Sequence, residues 1–165
     1  MKLWRLSNTM DTISHALWGK GLFGYRKYRL LAIFFGAFPD LSSFGLYFFY
    51  NLIFNFSQFQ MGKPSLETIP YWVHKSYDFS HSLVVACFFL IIIYFINKDI
   101  FFPMLAWPFH ILLDVFTHSI TFFPTPIFWP IHDYKFDGIP WSNPYIWYSN
   151  VICIIFLFLY RRKTR

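Results

Sequence analysis

Charge is what this sequence has least of. Only 13% of its 165 residues are Asp, Glu, Lys or Arg, against roughly a quarter in soluble domains. Its two cysteines, Cys87 and Cys153, lie within apolar runs. They read as buried free thiols and say nothing about redox compartment. A cleavable leader is not expected, because MKLWRLSNTMDTISH has neither an uninterrupted apolar core nor a small-residue cleavage site. No internal repeat or low-complexity linker divides the chain, so one domain over 1–165 is expected. No serine sits in a nucleophile elbow and no Cys–His pair suggests itself. Gly19 to Gly24 matches G-x-G-x-x-G but follows no strand, so the dinucleotide reading fails and helix packing is the better account.

What is abundant is apolar. Hydrophobic residues make up 56% and aromatics 25%. Genomic base bias also enriches Phe, Ile and Tyr, so uninterrupted runs carry more weight than composition. Leu83–Ile96 and Tyr145–Tyr160 contain no charge, Leu30–Phe56 contains only Asp40, and Ile100–Pro124 contains no Lys or Arg. A spanning helix needs about 20 mostly apolar residues, and each run with its flanks approaches that. The expected fold is all-α. It is an integral membrane bundle of about four transmembrane helices, over 30–56, 80–97, 100–123 and 145–160, behind an N-terminal amphipathic or re-entrant helix. Pro39 predicts a break at Pro39-Asp40, and Pro103 and Pro108 a kink. Residues 57–79 read as a polar loop. Residues 124–144, rich in Pro and Trp, read as an interfacial aromatic belt or as a lid over a lipid substrate.

The net charge of +6 is unevenly placed. Lys2, Arg5, Lys20, Arg26, Lys27 and Arg29 precede the first long run, and Arg161, Arg162, Lys163 and Arg165 follow the last. The positive-inside rule then puts both termini in the cytoplasm. Anionic membrane lipid explains these clusters, and there is no direct nucleic-acid signal.

Against this background FHILLDVFTHS stands out. His110, Asp114 and His118 are each four residues apart, so on a helix each is rotated only about 40° from the last. Ionisable groups in a membrane segment usually face a cavity and act there. His110 and Asp114 have the spacing of helical zinc sites. His118, a turn further on, suits a second ion, a substrate phosphate or proton transfer. Asp11 and His15 in DTISHA repeat the spacing, although Asp11 or Thr12 also suits a helix cap. Asp40 follows Pro39 and can cap a new helix, bind a metal, or both. His81 in YDFSHSL falls in the first turn of a helix capped by Ser80 or Asp78. Together His15, Asp40, His81, His110 and Asp114 form an imidazole–carboxylate set suited to zinc. A bound ion would acidify water for hydrolysis. Asp11 and His118 are the candidates for proton transfer or substrate contact. His15 belongs to a basic, cytoplasmic segment whereas His81 begins its helix on the outer side. Either the first segment re-enters the bilayer or one helix does not span.

DTISHALWG, FGAFPDLS, DFSHSLV, FHILLDVFTHS and the following W-P-I-H-D loop together resemble the YdjM-like family of inner-membrane-associated, LexA-binding metal-dependent hydrolases. The resemblance spans residues 11–133. It implies that His15, Asp40, His81, His110 and Asp114 are the metal-site set. A looser likeness to zinc-dependent phospholipase C and P1 nuclease implies phosphoester chemistry. Ser42 replaces the second acid of the family's P-D-x-D, and Tyr77-Asp78-Phe79 replaces its His-Arg-Gly, with Asp78 a candidate substitute acid. The residues themselves also admit a non-catalytic protein, one that binds or transports a metal.

Overall fold

The computed structural model describes residues 7–56 and 64–164, and the side chains of α1 from Thr12 onward. The regular elements among the described residues are all helical, without a strand. The order is α1 (Ser7–Phe23), α2 (Arg29–Asp40), a π-helical turn (Leu41–Gly45), α3 (Leu46–Phe54), a short 3-10 turn (Leu66–Thr68), α4 (Tyr71–Ser80), α5 (Leu83–Ile96), α6 (Lys98–Met104), α7 (Ala106–Thr117) and α8 (Pro144–Lys163).

Three helical stretches are long and apolar enough to cross a membrane: Arg29–Phe54, Lys98–Thr117 and Pro144–Lys163. A fourth arises if α4 and α5, bent by 55°, count as one. Their outer faces are apolar: Phe49, Phe54, Phe95, Phe156 and Leu159 are all exposed. Cys87 and Cys153 share these faces, so the expected burial of the two free thiols does not hold.

Proline at 39 does not break its helix. Asp40, Leu41, Gly45 and Leu46 all keep right-handed helical backbone. A wider π turn follows the proline, a common device at functional sites. The Pro39 carbonyl accepts hydrogen bonds from Ser42 and Ser43, both at 2.9 Å, and from Ser80 of α4 at 3.2 Å. Asp40 therefore caps nothing, and its carboxylate is left for other partners. The polar loop foreseen over 57–79 is helical from Tyr71 onward. The third span ends at Thr117 and not near residue 123, with α6 and α7 meeting at Leu105.

α1 is an interior element, not an amphipathic surface helix. It runs antiparallel to α2, pairing Gly19 with Ala32, Ala16 with Gly36 and Thr12 with Asp40. Two glycines permit this approach: a Cβ on Gly36 would stand 2.5 Å from the His15 carbonyl oxygen, and one on Gly19 would strike that of Ala32. α8 runs parallel to α1. Asn150 donates to Ser14 at 2.9 Å and accepts from the Trp18 indole at 2.7 Å, while Arg161 donates to the Gly21 carbonyl at 3.0 Å. The Ser7 end of α1 and the Lys163 end of α8 therefore lie at opposite ends of the bundle, against the expectation of a shared side.

Two apolar cores flank a polar centre. Val85, Ala86, Leu90, Met104, Trp107 and Ile111 fill the space between α5 and α6–α7. Ile69, Val73, Tyr77 and Phe123 form the second core. Residues 118–143 cross between the helix ends. Gly138, Ile139 and Trp141 donate backbone N–H groups to the carbonyls of His118, Phe116 and Thr117 at 2.8–3.1 Å, satisfying the open C-terminus of α7. The Leu83 N–H donates to Ile127 at 3.0 Å, and the Ser82 hydroxyl donates to the Trp129 carbonyl, tying the same segment to the start of α5.

Candidate metal centre

Four side chains from three spans converge: Asp40 of α2, His81 at the α4–α5 bend, and His110 and Asp114 of α7. Each offers a ligand atom, and all four atoms lie within 4.8 Å of one another. Asp40 Oδ1 stands 3.6 Å from His81 Nε2 and 3.7 Å from His110 Nε2. Asp114 Oδ2 stands 3.4 Å from His81 Nε2 and 3.0 Å from His110 Nε2. The two Nε2 atoms are 3.4 Å apart. Ligands about 2.0–2.1 Å from a tetrahedral zinc are separated by about 3.3 Å, so these edges fit one ion.

The orientation of each imidazole follows from its other nitrogen. His110 Nδ1 lies 2.7 Å from the Gly36 carbonyl oxygen, and His81 Nδ1 lies 3.2 Å from that of Tyr77. A carbonyl only accepts, so His110 Nδ1 carries the proton and its Nε2 presents a lone pair inward, while His81 Nδ1 is held between the Tyr77 carbonyl and the Ser80 hydroxyl, 3.1 Å away, with its Nε2 turned to the same point. This is how metal-binding histidines are usually held. The His81 ring also stacks on Tyr77 at 3.8 Å between centroids. Tyr77 is fixed in turn by its hydroxyl, which donates to the Phe123 carbonyl at 2.8 Å.

Charge completes the case. His81, His110 and Asp114 are buried to within 1% of full, and the Asp40 side chain is 15% exposed. No lysine or arginine pairs with either carboxylate among the described residues. Among the described residues, the groups within ion-pair distance of the Asp114 oxygens are all histidine nitrogens. Two carboxylates, that of Asp114 fully buried and that of Asp40 largely so, and two imidazole nitrogens thus face one point. Such a set is costly without a cation and is suited to a divalent one.

The remaining expected residues fall around this core. His15 lies outside the four-residue set. Its Nε2 is 2.9 Å from Asp114 Oδ1, whereas His81 and His110 approach Oδ2, and its ring lies 3.7 Å from that of His110. His118 is the C-cap of α7 with extended backbone, so it no longer follows the helical stripe. Its Nδ1 is nevertheless 3.5 Å from Asp114 Oδ1, and its side chain is 20% exposed. The Asp11 side chain is outside the described residues. His81 ends α4 rather than opening α5, and the cap of α5 is Ser82, which accepts from the Val85 N–H at 3.3 Å. Asp78 does not stand in for a missing acid. It pairs with Lys75 at 3.6 Å and lines a separate cavity of about 150 Å³ with His74, Thr121 and Lys135.

Some supporting groups carried little sequence signal. Thr12 donates to Asp40 Oδ2 at 2.8 Å, leaving Oδ1 for the centre. Its place three residues before His15, on the same helical face, was the available clue. The Gly36 and Tyr77 carbonyls, being backbone, had none. Trp141 stands edge-on to His15 at 5.5 Å and brings the 118–143 segment over the centre. No family model, no curated protein and no solved structure matches this chain.

Proposed function

We propose that the protein is a membrane-embedded, metal-dependent hydrolase whose centre is Asp40, His81, His110 and Asp114, acting on a phosphoester or lipid-related substrate. The reading rests above all on four possible ligands, three of them fully buried, that face one point with no lysine or arginine paired to them among the described residues. Nitrogen and carboxylate donors favour zinc among the common divalent ions. An ion held there would supply the positive charge that acidifies water and neutralises charge developing on an ester. The chain's own part is to hold two imidazoles by their outer nitrogens, to fix Asp40 through Thr12, and to keep His15 and His118 beside the second oxygen of Asp114. His118 is the partly open member of that pair and the candidate to move a proton. The order of motifs, similar to the YdjM-like family, is consistent with this chemistry.

A second reading has its own observation. Four protein ligands complete a tetrahedral shell, as structural zinc sites do, whereas catalytic sites keep a position open. That favours a non-catalytic protein that binds or carries the ion. Metal analysis of the purified protein, X-ray absorption of the bound ion and phosphoester turnover in lipid separate the two. A bound ion with a non-protein oxygen ligand, together with turnover, supports the hydrolase. A bound ion with four protein ligands and no turnover of phosphomonoester, phosphodiester or phospholipid supports the second reading. A metal-free chain overturns both.

A further inference from the structure

The bundle has one basic end, drawn from segments far apart in sequence. The Lys27 ammonium sits 2.6 Å from Asp99, joining the α1–α2 turn to the start of α6. The Arg26 guanidinium lies over Phe102 at 4.3 Å, and Arg161 of α8 lies over Tyr25 at 3.8 Å. Lys20, Arg26, Lys27, Arg29, Lys98 and the Arg161–Lys163 run therefore gather at one level, with Asp99 their acidic neighbour. Beyond the metal centre, the other end of the described chain carries Lys75 and Lys135 against Glu67, Asp78, Asp133 and Asp137.

Helix rise places the centre between these ends. Asp40 is about 16 Å along the axis from Arg29, and Asp114 about 24 Å from Lys98. The apolar part of a bilayer is about 30 Å thick. With the basic end at one interface, the centre lies in the half of the membrane nearer the other. The openings point the same way. Asp40 and His118 are the partly exposed groups, and His118 leads into residues 119–143 beyond the end of α7. That segment exposes Ile120, Ile131, Phe136 and Ile139 alongside Asp133, Lys135 and Asp137, the mixed character of a membrane–water interface.

Basic ends of spanning helices face the cytoplasm, where anionic lipid attracts them. We infer that the metal centre opens toward the non-cytoplasmic leaflet, and that the group it acts on is the phosphoester headgroup of a lipid seated in that leaflet. The lipid in this inference rests on the hydrolase reading above; the sidedness does not. It also removes the conflict between His15 and His81. α1 descends from the outer half beside α2, so His15 reaches the centre from within the bundle and not from a cytoplasmic segment.

The test has two arms. In full-length protein carrying Cys87→Ser and Cys153→Ser, Thr121→Cys marks the mouth and Lys163→Cys the basic end. A membrane-impermeant maleimide applied to intact cells should label the Thr121→Cys protein and spare the Lys163→Cys protein, both becoming reactive after permeabilisation. The reverse pattern, or equal labelling of both in intact cells, overturns the sidedness whether or not the protein is an enzyme. In the second arm the zinc-loaded protein, in phosphatidylcholine–phosphatidylglycerol vesicles, is offered phosphatidylglycerol or its soluble deacylated headgroup. Remote binding of the acyl chains should favour the lipid by about tenfold or more. Equal turnover of the soluble ester overturns the lipid assignment alone. No turnover of either ester by zinc-loaded protein that still hydrolyses a phosphomonoester overturns the lipid assignment alone, and no turnover of any of the three overturns the hydrolase and the lipid assignment together, leaving the sidedness to the labelling result.

Discussion

His110 and Gly36 meet across α7 and α2, with His110 Nδ1 2.7 Å from the Gly36 carbonyl oxygen. The same glycine lets α1 approach, since a Cβ there would stand 2.5 Å from the His15 carbonyl oxygen. One backbone position thus aims a ligand and admits the helix that carries His15.

Gly36→Ala tests that double role. In an open helix the change would stabilise by about 0.5–1 kcal/mol. Here the obstacle is backbone, which cannot rotate away, and overpacking of this kind costs about 1–3 kcal/mol. The clash should win. The variant should be less stable in chemical denaturation and bind zinc more weakly. Greater stability with unchanged zinc affinity would refute the close approach.

Asp114→Asn keeps the shape of the side chain and removes its charge, while His110→Ala deletes a nitrogen ligand. Both should lower bound zinc per chain, with helical content by circular dichroism retained. Relieving the crowded negative charge should leave the apo Asp114→Asn protein no less stable than the apo wild type. Full metal occupancy in either variant would remove that residue from the ligand set.

Thr12→Val deletes the hydroxyl that donates to Asp40 Oδ2 and preserves its volume. Loss of such an outer partner typically weakens metal binding about 10–100-fold. Thr12→Ser should restore most of the affinity, since the donor returns. A calorimetric titration that finds Thr12→Val and wild type equal would make the contact incidental.

His118 lies beside Asp114 Oδ1 but outside the four-ligand set. His118→Ala should leave zinc content near wild type and lower turnover by about 10²–10⁴, the usual cost of losing a positioned proton-transfer group. If zinc and turnover fall in parallel, His118 acts on the ion instead.

Much of this arrangement was written in local spacing. Charge-free runs of spanning length mark the apolar helices because the bilayer demands about 20 apolar residues wherever a helix crosses. His110 and Asp114 share a face because four residues is close to one helical turn. Asp40 and His81 were visible as ionisable groups in apolar surroundings. What only the tertiary structure decided depends on how elements meet. Pro39 was expected to break its helix, yet the neighbouring Ser80 and the following serines use its carbonyl and the chain continues through a π turn. His15 shared the signal of the other ligands but faces Asp114 Oδ1 and not Oδ2, a distinction set by the depth at which α1 slides along α2. The direction of α1 relative to α8 came from the Asn150 contacts with Ser14 and Trp18, which no charge count encodes. Spacing along one helix is a local property of the backbone, whereas convergence from three spans depends on glycine contacts and carbonyl partners that exist only once the helices have packed.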